Sequence, residues 1–287
     1  MEATPAGRDV IDLHCHSTAS DGLLAPEAVV RAAAEAGLVA ISLTDHDTTA
    51  GLAEAQRTGV SLGVRVVGGC EFSVGVRWGE MHLLGYFIPH DDADIEAFLV
   101  DARSDRDRRA REMVSRLSGL GVQVRVEDVL HEAAGGAVGR PHVARALKAA
   151  GHVRNVQQAF DRYIGQGRPA FVEKRLPTLR AVADLVHSKG GLVSAAHLKS
   201  LGTHSNLSEL QAEGLDAVET RHPSHDGDTV ATITEAALLL GLGRSGGSDW
   251  HGEVDTIGSH ARIGSQLVPD EWLQELEARR SLPPVGH

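Results

Sequence analysis

The sequence predicts an α/β protein organised around a mainly parallel sheet. Short apolar runs alternate with helical stretches at both ends of the chain, and histidines and carboxylates recur where the apolar runs stop. A third observation sets the domain plan: between residues 94 and 171 the alternation lapses and the pattern is helical.

The first run, Val10-Ile11-Asp12-Leu13-His14, reads as a short strand. A polar turn at 19–22 follows, then an alanine-rich helix from Pro26 to Ala36 that Gly37 ends. Residues 38–43 form a buried-type strand leading into Thr44-Asp45-His46-Asp47. A helix at 49–58 and strands at 65–71 and 81–86 come next. Helical segments at 101–116, 126–147 and 156–163 fill the interruption. The alternation then resumes: helix 178–189, strand 191–196, helix 208–213, strand 217–219, helix 229–240 and a last strand over 243–248. This divides the chain into one domain, 1–93 with 172–287, and a helical insertion, 94–171.

Composition narrows the function. A formal charge of -11 argues against the basic face that stable duplex nucleic-acid binding needs. A nucleotide substrate stays compatible, because bound cations invert the sign of a pocket locally. No apolar run reaches the roughly 18 residues of a membrane span, and MEATPAGRDVIDLH lacks the features of a signal peptide, so a cytoplasmic location is expected. Cys15 and Cys70 read as small core residues rather than a disulfide framework. Histidine is over-represented: sixteen, against two tyrosines and five phenylalanines.

The placement of the histidines and carboxylates explains that excess. His14 and His16 are two apart at a strand end, so their side chains share a face. Asp21 follows in a turn, His46 and Glu71 close the second and third strands, His82 lies in the next strand, and His197, Asp249 and His251 follow later strands. Nearly all sit at or just past a C-terminal strand end, the face on which barrels of parallel strands build active sites. A lone histidine is more often a surface or core residue than a ligand; nine nitrogen and oxygen donors at successive strand ends are not a chance pattern. They suit manganese, iron or zinc, manganese being the first expectation, and they exceed what one ion needs. Two or three divalent cations sharing bridging carboxylates would use them and activate water against a phosphate ester.

Arg140 and His142, within Gly139-Arg140-Pro141-His142, can bind an anion, and the same segment reads equally well as a helix start with proline in its first turn. His222 follows a strand on the chemical face, and Lys199 lies close to His197, although a surface lysine has the same signature. The arginine-rich run 103–116 is interleaved with acids and reads as a solvated helical face.

Taken together, DLHCHSTASDG, LTDHDT, GCEFS, MHLLGY, GRPHVARAL and GGSDWHG resemble the motifs of the polymerase and histidinol phosphatase (PHP) family over almost the whole chain. The resemblance is strongest to stand-alone enzymes that remove the 3′-phosphate of nucleoside 3′,5′-bisphosphates, some of which also trim short RNA from the 5′ end. It implies a distorted seven-stranded (β/α) barrel with the insertion capping the active site. It also implies a trinuclear centre: His14, His16, Glu71 and Asp249 around one ion, Glu71 bridging to a second held by His82 and His197, and Asp21, His46 and His251 around a third. Arg140, His142 and His222 match positions near the substrate phosphate. A hydroxide bridging the metals would attack phosphorus, and His222 would protonate the leaving oxygen. One departure concerns the segment Ala196-His197-Leu198-Lys199, where the family has Ala-His-Pro. Alternatives at this level are a phosphatase of histidinol phosphate or a sugar phosphate, an amidohydrolase barrel, and a non-catalytic metal-binding module.

Overall fold

The computed structural model describes residues 9–252 and 262–280. Its first half runs β1 (Val10–Cys15), α1 (Pro26–Glu35), β2 (Ala40–Leu43), α2 (Leu52–Leu62), β3 (Arg65–Val76) and β4 (Gly79–Tyr86). Four helices follow, α3 (Ala93–Gly119), α4 (Val126–Ala133), α5 (Arg140–Ala149) and α6 (Val156–Ala159), the last continuing as π-helix over Phe160–Ile164. The second half comprises α7 (Leu179–Ser188), β5 (Leu192–Ala195), α8 (His204–Ala212), β6 (Ala217–Arg221), α9 (Gly227–Leu240) and β7 (Gly243–Gly246). β8 (Val268–Pro269) and α10 (Asp270–Arg280), which sequence patterning had not indicated, complete the described chain. The predicted 126–147 helix is two helices, because Ala134 and Gly135 take left-handed conformations.

The eight strands lie in the order β7-β6-β5-β4-β3-β2-β1-β8. Beyond the end of β7 the chain returns to β1: the Asp249 N–H donates to the His14 carbonyl at 2.8 Å and the His16 N–H to that of Trp250 at 2.9 Å. These bonds bring the two ends of the sheet together into a nearly closed barrel. Gly247 permits the approach, since a Cβ there would stand 2.4 Å from His14.

The sheet is mixed: β1–β2, β2–β3, β5–β6 and β6–β7 pair in parallel as expected, with antiparallel exceptions. β4 runs antiparallel to both β3 and β5. Only Arg77 and Trp78 connect β3 to β4, and a parallel crossover needs about a dozen residues. His82 therefore lies within β4 rather than at a C-terminal strand end.

The barrel strands carry much of the apolar core alongside buried polar residues such as Ser42, Ser194 and Ser245. Ile11, Leu13, Ile41, Leu43, Leu83 and Leu84 are fully buried, each contributing roughly 1.5–3 kcal/mol through removal from water. The helical segment has its own core, in which Met113, Leu117, Val129, Val143 and Leu147 pack together. Its long helix is not simply solvated: Arg106 and Arg109 are buried. Arg106 donates to the buried Asp47 carboxylate at 2.7 Å, and Arg109 donates to the Val172 carbonyl at 3.0 and 3.1 Å.

Candidate metal centre

Alternation along β1 sends Asp12, His14 and His16 to one face and Ile11, Leu13 and Cys15 to the other. The loop that follows is held by Asp45. Its carboxylate accepts from the Ser17 N–H and hydroxyl, both at 2.7 Å, and from the Ser20 hydroxyl at 2.6 Å. Asp21 follows directly, its Oδ1 3.4 Å from the same Ser20 hydroxyl. Glycine is required at position 22, where a Cβ would stand 2.8 Å from the His16 carbonyl. Three other residues at the site, His197, Lys199 and Asp249, adopt left-handed conformations with φ of 35°, 52° and 51°. Such backbone is uncommon outside glycine and persists where surrounding contacts impose it.

The nine residues converge around the buried Glu71: seven of them line one pocket, and the fully buried His14 and His16 contact Glu71 directly. The two Glu71 oxygens face different histidines. Oε2 lies 3.3 Å from His14 Nε2 and 3.2 Å from both His16 Nε2 and His46 Nδ1. Oε1 lies 2.7 Å from His82 Nδ1 and 3.1 Å from His197 Nε2. Asp249 Oδ1 adds to the first side, 3.1 Å from His16 Nε2 and 3.4 Å from His14 Nε2. Asp21 gathers a further set, 3.3 Å from His251 Nε2 and 3.8 Å from His46 Nε2. Within four overlapping groups, His14–His16–Glu71–Asp249, His16–Asp21–His46–His251, His46–Glu71–His82 and His14–Glu219–His222, potential ligand atoms all fall within 4.8 Å of one another.

The electrostatics fit divalent cations. Burial would raise the Glu71 carboxyl, but His46, His82 and His14 outweigh it and hold the group well below its ordinary range. Burial likewise raises Asp21, and His46 with His251 reverses the shift. Burial disfavours charge on His16 and His82, yet the facing carboxylates push them up to about 10 and about 9. Protons on these rings stand where cations would supply the same neutralisation. The His16 ring nitrogens and His46 Nδ1 are buried without a hydrogen-bond partner, as ligand atoms awaiting a metal would be.

Partners on the outer nitrogens sort the rings. Glu219, fully buried in β6, accepts from His14 Nδ1 at 3.0 Å. Glu80 accepts from His82 Nε2 at 3.3 Å and also pairs with Lys174, whose ammonium donates to the Ser73 hydroxyl at 2.7 Å. The Asp249 carbonyl accepts from His251 Nδ1 at 2.8 Å. Each of these contacts leaves the other ring nitrogen directed at the pocket carboxylates. His222 differs: its Nδ1 accepts from the Ser224 N–H at 3.1 Å, so the neutral ring carries its proton on Nε2, 3.5 Å from Asp249 Oδ2. His225 was not singled out from the sequence. It donates from Nδ1 to the Thr220 carbonyl at 3.0 Å and accepts from the Lys199 N–H at 3.2 Å.

The remaining sequence candidates separate. Lys199 lines both the roughly 280 Å³ pocket around Glu71 and an adjoining cavity of roughly 690 Å³. Arg140 lines the larger cavity, its guanidinium 5.7 and 5.8 Å from the rings of Phe160 and Phe171. His142 is buried, and its Nδ1 accepts from the Gly139 N–H at 2.8 Å, securing the start of α5. Glu219 had a local signal, a charged residue within the apolar strand 217–219. Glu80 and Lys174 had none, being 94 residues apart.

Known proteins place the chain in a family. The PHP domain model matches residues 12–165. The chain is 32% identical to a 5′-3′ exoribonuclease from Haemophilus influenzae, over 90% of this chain and 96% of that protein. It is also 32% identical to a 3′,5′-nucleoside bisphosphate phosphatase from Chromobacterium violaceum, over 94% of this chain and 97% of that one. Among solved structures, a protein from Bifidobacterium adolescentis assigned as a metal-dependent phosphoesterase superposes with a TM-score of 0.85 at 29% identity, covering 99% of this chain and all of that one. The chain belongs to the PHP family and is a metal-dependent phosphoesterase.

Proposed function

We propose that this enzyme hydrolyses the 3′-phosphate of nucleoside 3′,5′-bisphosphates, and that short RNA entering by its 5′ end uses the same pocket. The observation that carries the reading is the junction of the two cavities. His82, His197 and Lys199 line both, and the larger cavity adds the aromatic walls of Trp78 and Phe171 with the cationic groups of Arg140 and Lys174. Apolar walls with a few charged groups suit a nucleoside carrying a second phosphate. Similarity to both a bisphosphate phosphatase and an exoribonuclease supports a nucleotide substrate.

In this reading His14, His16, Glu71 and Asp249 hold one cation, Glu71 with His82 and His197 a second, and Asp21, His46 and His251 a third. Manganese is the first choice and iron or zinc the alternatives. Divalent cations in these positions supply water activated near neutral pH and neutralise phosphate charge. Arg140 presents its guanidinium to an anionic oxygen, and Lys199 adds charge where the cavities meet. His222, with its proton on Nε2, donates it to the departing 3′-oxygen. Residues 94–171 act as the cap, contributing Arg140, Gln166 and Phe171 to the cavity wall.

The test is phosphate release by manganese-loaded protein from adenosine 3′,5′-bisphosphate, beside AMP, histidinol phosphate and a short 5′-phosphorylated RNA. Release chiefly from the bisphosphate, leaving AMP, is expected. Preference for histidinol phosphate would replace the substrate assignment.

A further inference from the structure

We propose that Glu219 is a positioning residue that sets two metal-binding histidines from different strands, His14 and His197. The proposal rests on reading those two residues as ligands. Glu219 sits in the middle of β6 with no solvent exposure. A carboxylate so placed needs strong partners for both oxygens. Oε1 accepts from His14 Nδ1 at 3.0 Å, and Oε2 accepts from the backbone N–H of His197 at 2.8 Å.

The two contacts do different work. By accepting from Nδ1, Glu219 keeps the remaining proton of a neutral His14 on that nitrogen. Nε2 is then the atom free to bind a cation, and it faces Glu71 Oε2 and Asp249 Oδ1 at 3.3 and 3.4 Å. By accepting from the His197 N–H, Glu219 anchors a residue whose backbone is left-handed, with φ of 35°. That conformation directs His197 Nε2 to within 3.1 Å of Glu71 Oε1. The His14 and His197 rings stack at 5.8 Å between centroids, 25° from parallel, with Glu219 bonded to both residues. One buried carboxylate thereby sets the spacing of ligands that face opposite oxygens of Glu71.

Glutamine cannot substitute. It offers one oxygen where two N–H groups donate, and its amide would turn N–H against N–H at the second contact. Glu80 offers an internal contrast, because the site residue its side chain touches is His82.

The test uses the full chain as wild type, E219Q, E219A and E80Q, stripped of metal and titrated with Mn²⁺ for stoichiometry and dissociation constants. Zinc-loaded samples give histidine tautomers from long-range ¹H–¹⁵N spectra. E219Q is expected to bind Mn²⁺ about 10- to 100-fold more weakly and to shift the His14 tautomer signals, whether or not the opposed N–H groups also lower its metal-free melting temperature. E80Q should leave those signals in place. Wild-type affinity in E219Q would overturn the proposal. So would a lowered metal-free melting temperature with unchanged affinity, which marks a structural role alone. Loss of one whole equivalent of metal with the other affinities intact would make Glu219 a ligand and overturn it too. Absence of Mn²⁺ binding by the wild type would defeat the ligand reading beneath the proposal, whereas wild-type binding with an unaltered E219Q defeats only the role of Glu219.

Discussion

At the scale of single residues, the chemistry of four histidines, His14, His82, His222 and His251, is decided by what touches the outer nitrogen. A carboxylate or carbonyl acceptor leaves a basic nitrogen facing the pocket, as for His14, His82 and His251; a donating N–H leaves a protonated one, as for His222. This distinction yields a prediction for His222. H222Q should bind metal like the wild type yet lose about 10²- to 10⁴-fold in kcat on an alkoxide leaving group, with little loss on p-nitrophenyl phosphate, whose leaving group needs no proton. Equal losses on both substrates would remove the general-acid role. Sequence alone marked His222 by its position after a strand, but both tautomers were open until Ser224 N–H was seen on Nδ1. The nine pocket residues were legible for a simple reason: each is a polar donor close to the end of an apolar run. Glu219 closed the predicted strand 217–219 in the same way, but nothing local showed that it faces His14.

At the scale of elements, the helical segment is fastened to the barrel by a buried ion pair. Asp47, in the loop after β2, and Arg106, on α3, have side chains 6% and 5% exposed and 2.7 Å apart. Removing one partner strands the other charge in the interior, so D47A should cost about 3–5 kcal/mol. The D47A/R106M double variant should cost less than the sum of the single changes, because their interaction is shared. Denaturant midpoints check this, and strict additivity would contradict the pairing. His142 makes the same junction sensitive to acid. Burial, reinforced by Arg145, lowers its pKa to about 4, against about 6.5 for an unfolded histidine. Between those values the unfolded chain binds a proton that the folded chain does not. The stability His142 contributes is therefore present above pH 6.5 and lost as pH falls towards 4. Melting curves of H142Q should show a shallower acid dependence than the wild type over that range; an unchanged slope would refute the assignment. Most helix positions were legible from periodicity, α10 excepted, whereas the direction of β4 was not, because alternation has the same period in parallel and antiparallel strands. The Arg77–Trp78 connection was the available signal, being too short for a crossover.

For the whole molecule, metal binding and protonation are one equilibrium. Burial opposes the charge on His14, but Asp249, Glu71 and Glu219 raise it well above its ordinary range, alongside His16 at about 10 and His82 at about 9. At neutral pH the metal-free protein thus holds protons that cations must displace. Apparent metal affinity should fall about tenfold per pH unit for each proton displaced as pH drops below 9. Manganese added to weakly buffered metal-free protein at pH 7 should release acid, and a flat indicator reading would refute this linkage. Free Mn²⁺ at about 1,000 times its dissociation constant should also stabilise the fold by about 4 kcal/mol per site, seen as a higher Tm that chelator reverses. The family, the alternation of strand and helix and the donors of the pocket were all written in local pattern, in the period of apolar residues and the residue types near strand ends. Which oxygen of Glu71 meets which histidine, the pairing of Asp47 with Arg106, and the support of His14 by Glu219, 205 residues away, were not. They depend on barrel closure, which joins residues distant in sequence through contacts that no local pattern encodes.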